Sequence, residues 1–202
     1  DSAMQMFPDN LEMKYWTAIT LANTGEVEKS LPMFKEIFAA DKNWKDDFFI
    51  AAMGSFGSSE LTFTSDIDLV FIVSGIQSYP DIQKDFQRLL KNFKDNCSGL
   101  EIDCRLRPEG KSSQLVWDLE EYKKYFSNRA RIWELQAFTK CRYVLGNIEL
   151  FNSFFTHYIL TVKQKDEVIV KKEISEMRKK LYPGLDTSFN IKKSSGGLAD
   201  ID

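Results

Sequence analysis

Two acidic residues of the sequence have the spacing of a divalent-metal site. Asp66 and Asp68 stand at i and i+2 at the head of an apolar, β-branched segment, residues 67–73. Residues two apart on a strand point to the same face, so the two carboxylates are expected to project together. Carboxylates that lie this close raise each other's pKa unless a cation sits between them, and hard oxygen ligands of this kind suit Mg²⁺.

A third carboxylate, Asp103, lies in residues 101–107, which alternate between polar and apolar side chains. This alternation predicts a strand with Asp103 and Arg105 on its polar face. If that strand neighbours the first, three carboxylates converge and can hold two metal ions that clamp a phosphoryl displacement. Asp66, Asp68 and Asp103 are therefore the predicted catalytic residues and metal ligands. A plain surface ion pair between Asp103 and Arg105 is the alternative.

A glycine turn supplies the second half of the pattern. Gly54 and Ser55 follow a short apolar run, residues 48–53, where bare backbone N–H groups can approach a phosphate. The run Gly-Ser-Phe-Gly is neither a Walker A loop nor the dinucleotide fingerprint GxGxxG. A strand, then Gly-Ser, then Asp-x-Asp at the head of the next strand resembles the layout of nucleotidyltransferases related to DNA polymerase β.

The elements that must position these residues form an α+β pattern. Strands are expected over 48–53, 67–73 and 101–107, a small-residue loop over 54–59, and a helix beginning at Asp81. Further helices are expected over roughly 119–126, 129–143, 147–161 and 164–181. This order predicts N-terminal helices over 1–45, an α/β core over 46–117, and a helical part over 118–202 that looks truncated from a longer chain.

Composition narrows the class of protein. The chain has 202 residues with 27 Lys and Arg against 30 Asp and Glu, a net charge of −3, which argues against a nucleic-acid-binding module. No apolar stretch approaches the ~20 residues of a membrane span, and the N-terminus lacks a signal-peptide pattern. Three unclustered cysteines favour reduced thiols and a cytoplasmic location. The single histidine, His157, excludes any mechanism that needs two.

Longer blocks resemble one family, the glutamine synthetase adenylyltransferases. Residues 60–69 (ELTFTSDIDL) resemble its "EL…SSD(I/L)DL" motif, and residues 103–110 (DCRLRPEG) match its "D-x-R-L-R-P-x-G". Further similar blocks are residues 133–137 (WELQA), Arg142 just beyond them, residues 176–180 (EMRKK), residues 189–192 (FNIK) and residues 196–201 (GGLADI). These blocks follow the family's order from about residue 48 to the end of the sequence.

The resemblance implies a fold and a reaction. The implied fold is that of polymerase-β-like nucleotidyltransferases, a small mixed sheet flanked by helices and followed by a helical segment. Family proteins carry two such domains: one removes AMP from glutamine synthetase by phosphorolysis, and the other attaches AMP from Mg-ATP to a tyrosine hydroxyl, which regulates nitrogen assimilation. The WELQA, EMR and DI details favour the attaching domain. A P-II signal protein is expected to contact other parts of the full-length chain.

The resemblance also implies roles for the acidic residues. Asp66 and Asp68 would anchor two Mg²⁺ ions, for which Mn²⁺ can substitute. Asp103 would help to remove the proton from the tyrosine hydroxyl, whose pKa is ordinarily about 10. Arg105, on the same expected face as Asp103, would stabilise negative charge in the transition state.

The remaining candidate residues are expected to bind ATP. Gly54 and Ser55 would hold the β- and γ-phosphates, Ser65 would contribute to nucleotide binding, and Lys192 would reach a phosphate. The sequence departs from the family at Ser55, which stands where the family has a lysine, and at Asp202, which replaces a glutamate. The first change removes a positive charge beside the phosphates.

Three other functions stay open from the sequence. The same carboxylates would serve the phosphorolytic, AMP-removing reaction. The serine at the lysine position also fits a non-catalytic module that binds nucleotide or glutamine synthetase. A nucleotidyltransferase with a small-molecule or RNA acceptor is the third, although the acidic net charge weakens the RNA version.

Overall fold

The computed structural model describes residues 29, 33, 43–62, 65–96 and 101–181. Lys29 and Met33 are helical, residues 43–45 of the region 1–45 predicted to be helical form a turn, and the remainder of that region lies outside the described residues. Cys97, Lys192 and the similar blocks over 189–192 and 196–201 lie outside them as well. The structure therefore covers the predicted carboxylate site and the glycine turn.

Strands and helices are interleaved along the described chain. The strands are β1 (Phe48–Ala52), β2 (Ile67–Val73), β3 (Ile102–Asp103), β4 (Val116–Asp118) and β5 (Arg142–Gly146). The α-helices are α1 (Gly54–Gly57), α2 (Ile82–Asn96), α3 (Leu119–Asn128), α4 (Ile132–Ala137), α5 (Ile148–Lys163) and α6 (Glu167–Leu181). Short 3-10 turns occupy Ile76–Ser78, Gly110–Ser112 and Phe138–Lys140. This small mixed sheet with flanking helices confirms the predicted α+β class.

The sheet has the order β3-β2-β1-β5, with β4 also paired to β2. β1 is antiparallel to both β2 and β5, whereas β3 and β4 run parallel to β2. β3 pairs with the beginning of β2, where Ile67 lies opposite Ile102, and β4 pairs with its end, where Phe71 lies opposite Val116. The beginning of β2 is therefore held between β1 and β3.

A hydrophobic core covers each face of the sheet, because the central strands are apolar on both sides. On one face, α2 packs Ile82, Phe86 and Leu89 against alternate residues of β1 and β2. On the other face, α3, α5 and the 3-10 turn at Phe138 contribute a continuous aromatic cluster that includes Tyr122, Phe126, Phe138, Phe154 and Tyr158. Val70 and Ile72 of β2 face this second cluster, and by strand alternation so does Asp68.

Most of the predicted elements are confirmed. β1 and β2 match the strands expected over 48–53 and 67–73, and α3, α5 and α6 match three of the expected helices. The small-residue segment 54–59, expected as a loop, contains one helical turn, α1. No helix among the described residues is both long enough and apolar enough to cross a membrane.

The helix predicted over 129–143 is wrong beyond Ala137. After a 3-10 turn, Arg142–Gly146 becomes β5 and pairs with β1, so the sheet recruits a strand from the part of the chain predicted to be helical. The open edge of β1 offers backbone hydrogen bonds that a local periodicity argument cannot see. Gly146 ends the strand with φ +107°, a conformation that a residue with a Cβ rarely adopts.

The long strand predicted over 101–107 is wrong beyond Asp103. The Asp103 side chain accepts the Arg105 backbone N–H at 2.8 Å, and the Arg107 guanidinium donates to the Cys104 carbonyl, so the chain bends after two paired residues. Cys104 then packs on the α2 side of the sheet and Leu106 on the α3 side. The apolar residues of the predicted strand, Ile102, Cys104 and Leu106, therefore do not share one face.

Asp118 ties the sheet to α3. One carboxylate oxygen accepts the N–H groups of Glu120 and Glu121 at 2.9 and 3.2 Å, which caps the helix. The other accepts the N–H groups of Gly75 and Ile76, both at 3.1 Å, in the turn after β2. Since the side chain is only 6% exposed, it satisfies four backbone donors that water reaches poorly.

We expect Asp118→Ala to lower the free energy of unfolding by about 2–3 kcal/mol, since it removes a helix cap and leaves further buried N–H groups without an acceptor. Urea unfolding followed by circular dichroism measures this change. Glu121→Ala on the exposed face of α3 is the matched control and should cost less than about 0.5 kcal/mol. Equal effects of the two substitutions would contradict the role given to Asp118.

Candidate functional site

The pairing of β2 with β3 places two of the predicted carboxylates side by side. Asp68 and Asp103 are register partners in these parallel strands, so their side chains leave the sheet on the same face. Two backbone hydrogen bonds hold the beginning of β2: the Ile67 N–H donates to the Glu101 carbonyl at 2.7 Å, and the Met53 N–H donates to the Asp68 carbonyl at 2.9 Å. The predicted neighbourhood of the two strands is confirmed.

Asp66 stands just before β2, on an exposed stretch of chain. Two hydrogen bonds join the preceding Ser65 to Thr62: the Ser65 N–H donates to the Thr62 carbonyl at 3.1 Å, and the Thr62 N–H donates to the Ser65 hydroxyl at 3.0 Å. The Ser65 hydroxyl is thus engaged with Thr62, and its contact with nucleotide stays a prediction.

The carboxylates repel one another. Burial, followed by the charges of Asp103 and Asp66, raises the pKa of Asp68 from its ordinary value of 3.8 to about 6, against a lowering by Arg105. Both neighbouring carboxylates thus disfavour the charged form of Asp68, and a cation bound between the groups would relieve that repulsion.

Asp103 has a different environment, because Arg105 forms hydrogen bonds and an ion pair with its carboxylate. The Arg105 backbone N–H donates to Oδ1 of Asp103, and its guanidinium donates to Oδ2 through Nε and forms an ion pair through Nη2. Burial raises the pKa of Asp103, but the hydrogen bonds and charge of Arg105, with the charge of Lys111, outweigh it and hold the pKa below its ordinary value. Asp103 is therefore ionised at neutral pH, and the alternative ion pair raised from the sequence is present.

Gly54 brings bare backbone against the Asp68 carboxylate. It has φ +52°, and a Cβ at this position would lie 2.4 Å from Oδ2 of Asp68, which is far inside van der Waals contact. Only glycine combines that backbone conformation with that approach. Ser55 follows in the same helical turn, and its carbonyl accepts the Glu60 N–H at 2.8 Å.

Arg142 fastens this turn to the sheet. From β5 its Nε donates to the Gly57 carbonyl at 3.1 Å and its Nη2 to the Phe56 carbonyl at 2.8 Å, and the guanidinium lies 5.3 Å from the centre of the Phe56 ring. The sequence pattern predicted no role for Arg142 in the site. The sequence feature that could have indicated this role is the position of Arg142 just after residues 133–137, a block that resembles the family.

A cleft of about 460 Å³ opens beside Asp66 and Asp103, and neither Asp68 nor Gly54 is among its lining residues. Its lining includes Asp66 and Asp103 together with three cationic side chains, Arg105, Arg107 and Lys111. Acidic and basic groups in one cleft can hold a metal cation and an anion at the same time. Lys111 was not singled out from the sequence, although it directly follows the block DCRLRPEG.

The donor set fits Mg²⁺, which is usually bound through one or two carboxylates and completed by water and substrate phosphates. Among the described residues, no three His, Cys, Asp or Glu side chains stand close enough to form a ready metal cluster. The candidate site is thus built around Asp68 and Asp103, with Asp66 at its rim and Gly54 and Arg105 in contact with it. Lys192 lies outside the described residues.

Comparison with known proteins places these features in a family. The family model "Glutamate-ammonia ligase adenylyltransferase" matches residues 16–156, which include every part of the site described above. A bifunctional glutamine synthetase adenylyltransferase/adenylyl-removing enzyme of Burkholderia mallei is 33% identical over 171 residues, covering 77% of this chain and 18% of that protein.

Similarly named proteins extend this similarity. The one from Burkholderia pseudomallei is 32% identical over 171 residues, and the one from Nitrosomonas europaea is 32% identical over 166 residues. Each alignment again covers 77% of this chain, and the chain spans about 18% of the length of these relatives. The chain belongs to the glutamate-ammonia ligase adenylyltransferase family.

Proposed function

We propose that this chain is a nucleotidyltransferase domain that transfers AMP from Mg-ATP to a tyrosine hydroxyl of glutamine synthetase. The observation that carries the proposal is the pairing of Asp68 with Asp103, with the Gly54 backbone packed against Asp68. The names of the relatives support glutamine synthetase as the protein substrate. The proposed fold type is that of the polymerase-β-like nucleotidyltransferases, and the proposed setting is the cytoplasm.

Asp68 and Asp103, with Asp66 at the rim, would hold the Mg²⁺ ions, one or two in number and replaceable by Mn²⁺. When bound, such ions neutralise charge on the phosphates and clamp the attacking and leaving oxygens. The protein's own contribution is to keep both carboxylates on one face of the sheet. Because Gly54 has no side chain, only backbone atoms of this residue lie against the Asp68 carboxylate.

The phosphates of ATP would lie between the glycine turn and the basic side of the cleft. The first N–H groups of α1, at Gly54 and Ser55, have no partner within so short a helix and can donate to a phosphate. Arg105 and Lys111 line the cleft beside Asp103 and would supply positive charge there. Ser55 stands where the family has a lysine and carries no charge, and we propose that Lys111 supplies a positive charge in its place. Lys192 is proposed as a further phosphate contact.

The proton of the tyrosine hydroxyl needs an acceptor. As Arg105 holds it, Asp103 has a lowered pKa and is a weak base. If Arg105 turns to a phosphate when ATP binds, Asp103 loses that ion pair and becomes a better acceptor. The tyrosine oxygen then forms a bond to the α-phosphorus, the bond to the β-phosphate oxygen breaks, and pyrophosphate leaves.

The second candidate function is the phosphorolytic removal of AMP, which the same carboxylates would serve. The names of the relatives include both an adenylyltransferase and an adenylyl-removing activity. Two assays distinguish the directions. Incubation with Mg-ATP and unmodified glutamine synthetase should release pyrophosphate and label the target, whereas adenylylated glutamine synthetase with phosphate would yield ADP. We expect the first. A chain that folds but binds no Mg-ATP would instead be a non-catalytic module, and P-II is expected to act through other parts of the full-length protein.

The raised pKa of Asp68 makes a prediction about stability. Because the folded-state pKa of about 6 lies above the ordinary 3.8, the folded protein binds this proton more tightly than the unfolded chain. Ionisation of Asp68 therefore costs stability as the pH rises towards and through 6, and the cost is absent below about pH 4. Asp68→Asn removes the cost and a proposed metal ligand together.

In metal-free buffer, we expect Asp68→Asn to melt about 2 °C above the wild type at pH 7.5 and to lose that advantage as the pH falls towards 4. Added Mg²⁺ with ATP should raise the Tm of the wild type and leave the variant unchanged. Differential scanning fluorimetry measures both effects. A variant that Mg-ATP still stabilises as strongly as the wild type would refute the metal site.

Gly54→Ala tests the contact with Asp68. The new methyl group displaces the carboxylate, so we expect AMP transfer to fall at least about 100-fold. Gly75→Ala is the matched control, because Gly75 also has positive φ, +70°, but no atom lies within 4 Å of the place its methyl group would take. Both substitutions should cost about 1 kcal/mol of stability from backbone strain. Only Gly54→Ala should lower AMP transfer; equal activities of the two variants would count against the proposal.

A further inference from the structure

A second cavity, of about 410 Å³, adjoins the candidate site. Residues 105–110, which follow β3, form one wall, and α3 and α4 form the others. Its volume lies within the range of small-molecule sites, about 300–1,000 Å³. Most of its lining is aromatic or aliphatic, including Phe126, Phe138 and Ala137. The proposed roles of the carboxylates and the glycine turn leave this cavity unassigned.

Two buried polar atoms on residues that line this cavity have no hydrogen-bond partner among the described residues: Nε of Arg107 and the hydroxyl of Tyr122. Tyr122 is 1% exposed. Arg107 uses its other nitrogens to donate to the carbonyls of Cys104 and Ser113, which leaves Nε over. A buried polar group without a partner costs about 1–3 kcal/mol, so two of them at one cavity point to a ligand that accepts hydrogen bonds.

Arg105 connects this cavity with the carboxylates. It lines both cavities, and its guanidinium is ion-paired with Asp103. Arg107 lines both cavities as well. A ligand in the second cavity would therefore contact the same arginine side chains as the phosphates proposed to lie beside Asp103. The simplest occupant is another part of the same molecule.

We propose that the purine base of ATP occupies this cavity, with Arg107 Nε and the Tyr122 hydroxyl donating hydrogen bonds to its ring nitrogens. A flat heteroaromatic ring suits the aromatic lining and brings the acceptors that both donors need. Trp133, 38% exposed, stands at the same cavity and offers a further ring face. The inference rests on the proposed function, since it assigns the base of the nucleotide whose phosphates that function places beside Asp68.

A tyrosine ring of the protein substrate is the competing occupant. Its hydroxyl would have to reach the metal ions while its backbone stayed on another protein. The two unpartnered donors of this cavity, Arg107 Nε and the Tyr122 hydroxyl, are buried, which suits a free small molecule that can enter completely. The experiment below therefore also tests whether the tyrosine ring of the protein substrate occupies this cavity.

Tyr122→Phe separates the base from the phosphates, because it removes the hydroxyl and keeps the ring. Binding of Mg-ATP and of Mg-tripolyphosphate, which has no base, is measured by isothermal titration calorimetry. We expect the Kd for ATP to rise about 5–10-fold, with the Kd for tripolyphosphate unchanged. The Tm without ligand should stay the same or increase, since a buried hydroxyl without a partner has been removed.

Ala137→Leu fills the cavity from α4 and should weaken ATP binding more than about tenfold while tripolyphosphate still binds. Gln136→Leu, on the exposed side of the same helix, is the matched control and should change neither affinity. Circular dichroism confirms that the variants are folded.

The results separate this inference from the proposed function. If Tyr122→Phe and Ala137→Leu bind ATP like the wild type while Asp68→Asn does not, the base lies elsewhere and the function stands. An equal loss of ATP and tripolyphosphate in both variants would also overturn the base assignment. So would normal ATP binding by Ala137→Leu with loss of transfer to glutamine synthetase, which would assign the cavity to the acceptor ring. If the wild type binds neither ligand, the proposed function itself fails.

Discussion

The repulsion between carboxylates at the β2–β3 edge is the interaction on which the rest of the site depends. Parallel pairing places Asp68 and Asp103 in register, and the hydrogen bonds of the sheet fix the separation of their backbones. Burial and like charge raise the pKa of Asp68 to about 6. A protein that keeps such an arrangement gives up stability at neutral pH, which is understandable where a cation binds.

Three neighbouring residues position this pair of carboxylates or set its charge. Arg105 holds Asp103 ionised, and Gly54 leaves space along Asp68 that any other residue would fill. Arg142 supports the glycine turn from β5 through two carbonyls. The site is thus assembled from four separate stretches of the chain, and the sheet with its two cores gives those stretches a fixed relation.

The sequence predicted the parts of this site that depend on local pattern. Strand periodicity located β1 and β2, and the Asp-x-Asp spacing predicted the candidate metal ligand Asp68, whose role stays a prediction. Long-range pairing was beyond its reach: β5 forms because the edge of β1 needs hydrogen-bond partners. The bend after Asp103 forms because the side chains of Asp103 and Arg107 bond to the backbone N–H of Arg105 and the carbonyl of Cys104. Arg142 and Lys111 were missed for the same reason, since their partners are distant in sequence or share only a cleft.

The most direct test of the central claim is a Mn²⁺ titration followed by electron paramagnetic resonance, in the presence of a non-hydrolysable ATP analogue. The account predicts that the wild type binds Mn²⁺ with phosphorus hyperfine coupling from the analogue. Asp103→Asn, which keeps the shape of the side chain and removes its charge, should weaken that binding at least about tenfold. Unchanged Mn²⁺ affinity in this variant, or bound Mn²⁺ without phosphorus coupling, would contradict a metal site shared by these carboxylates and the nucleotide.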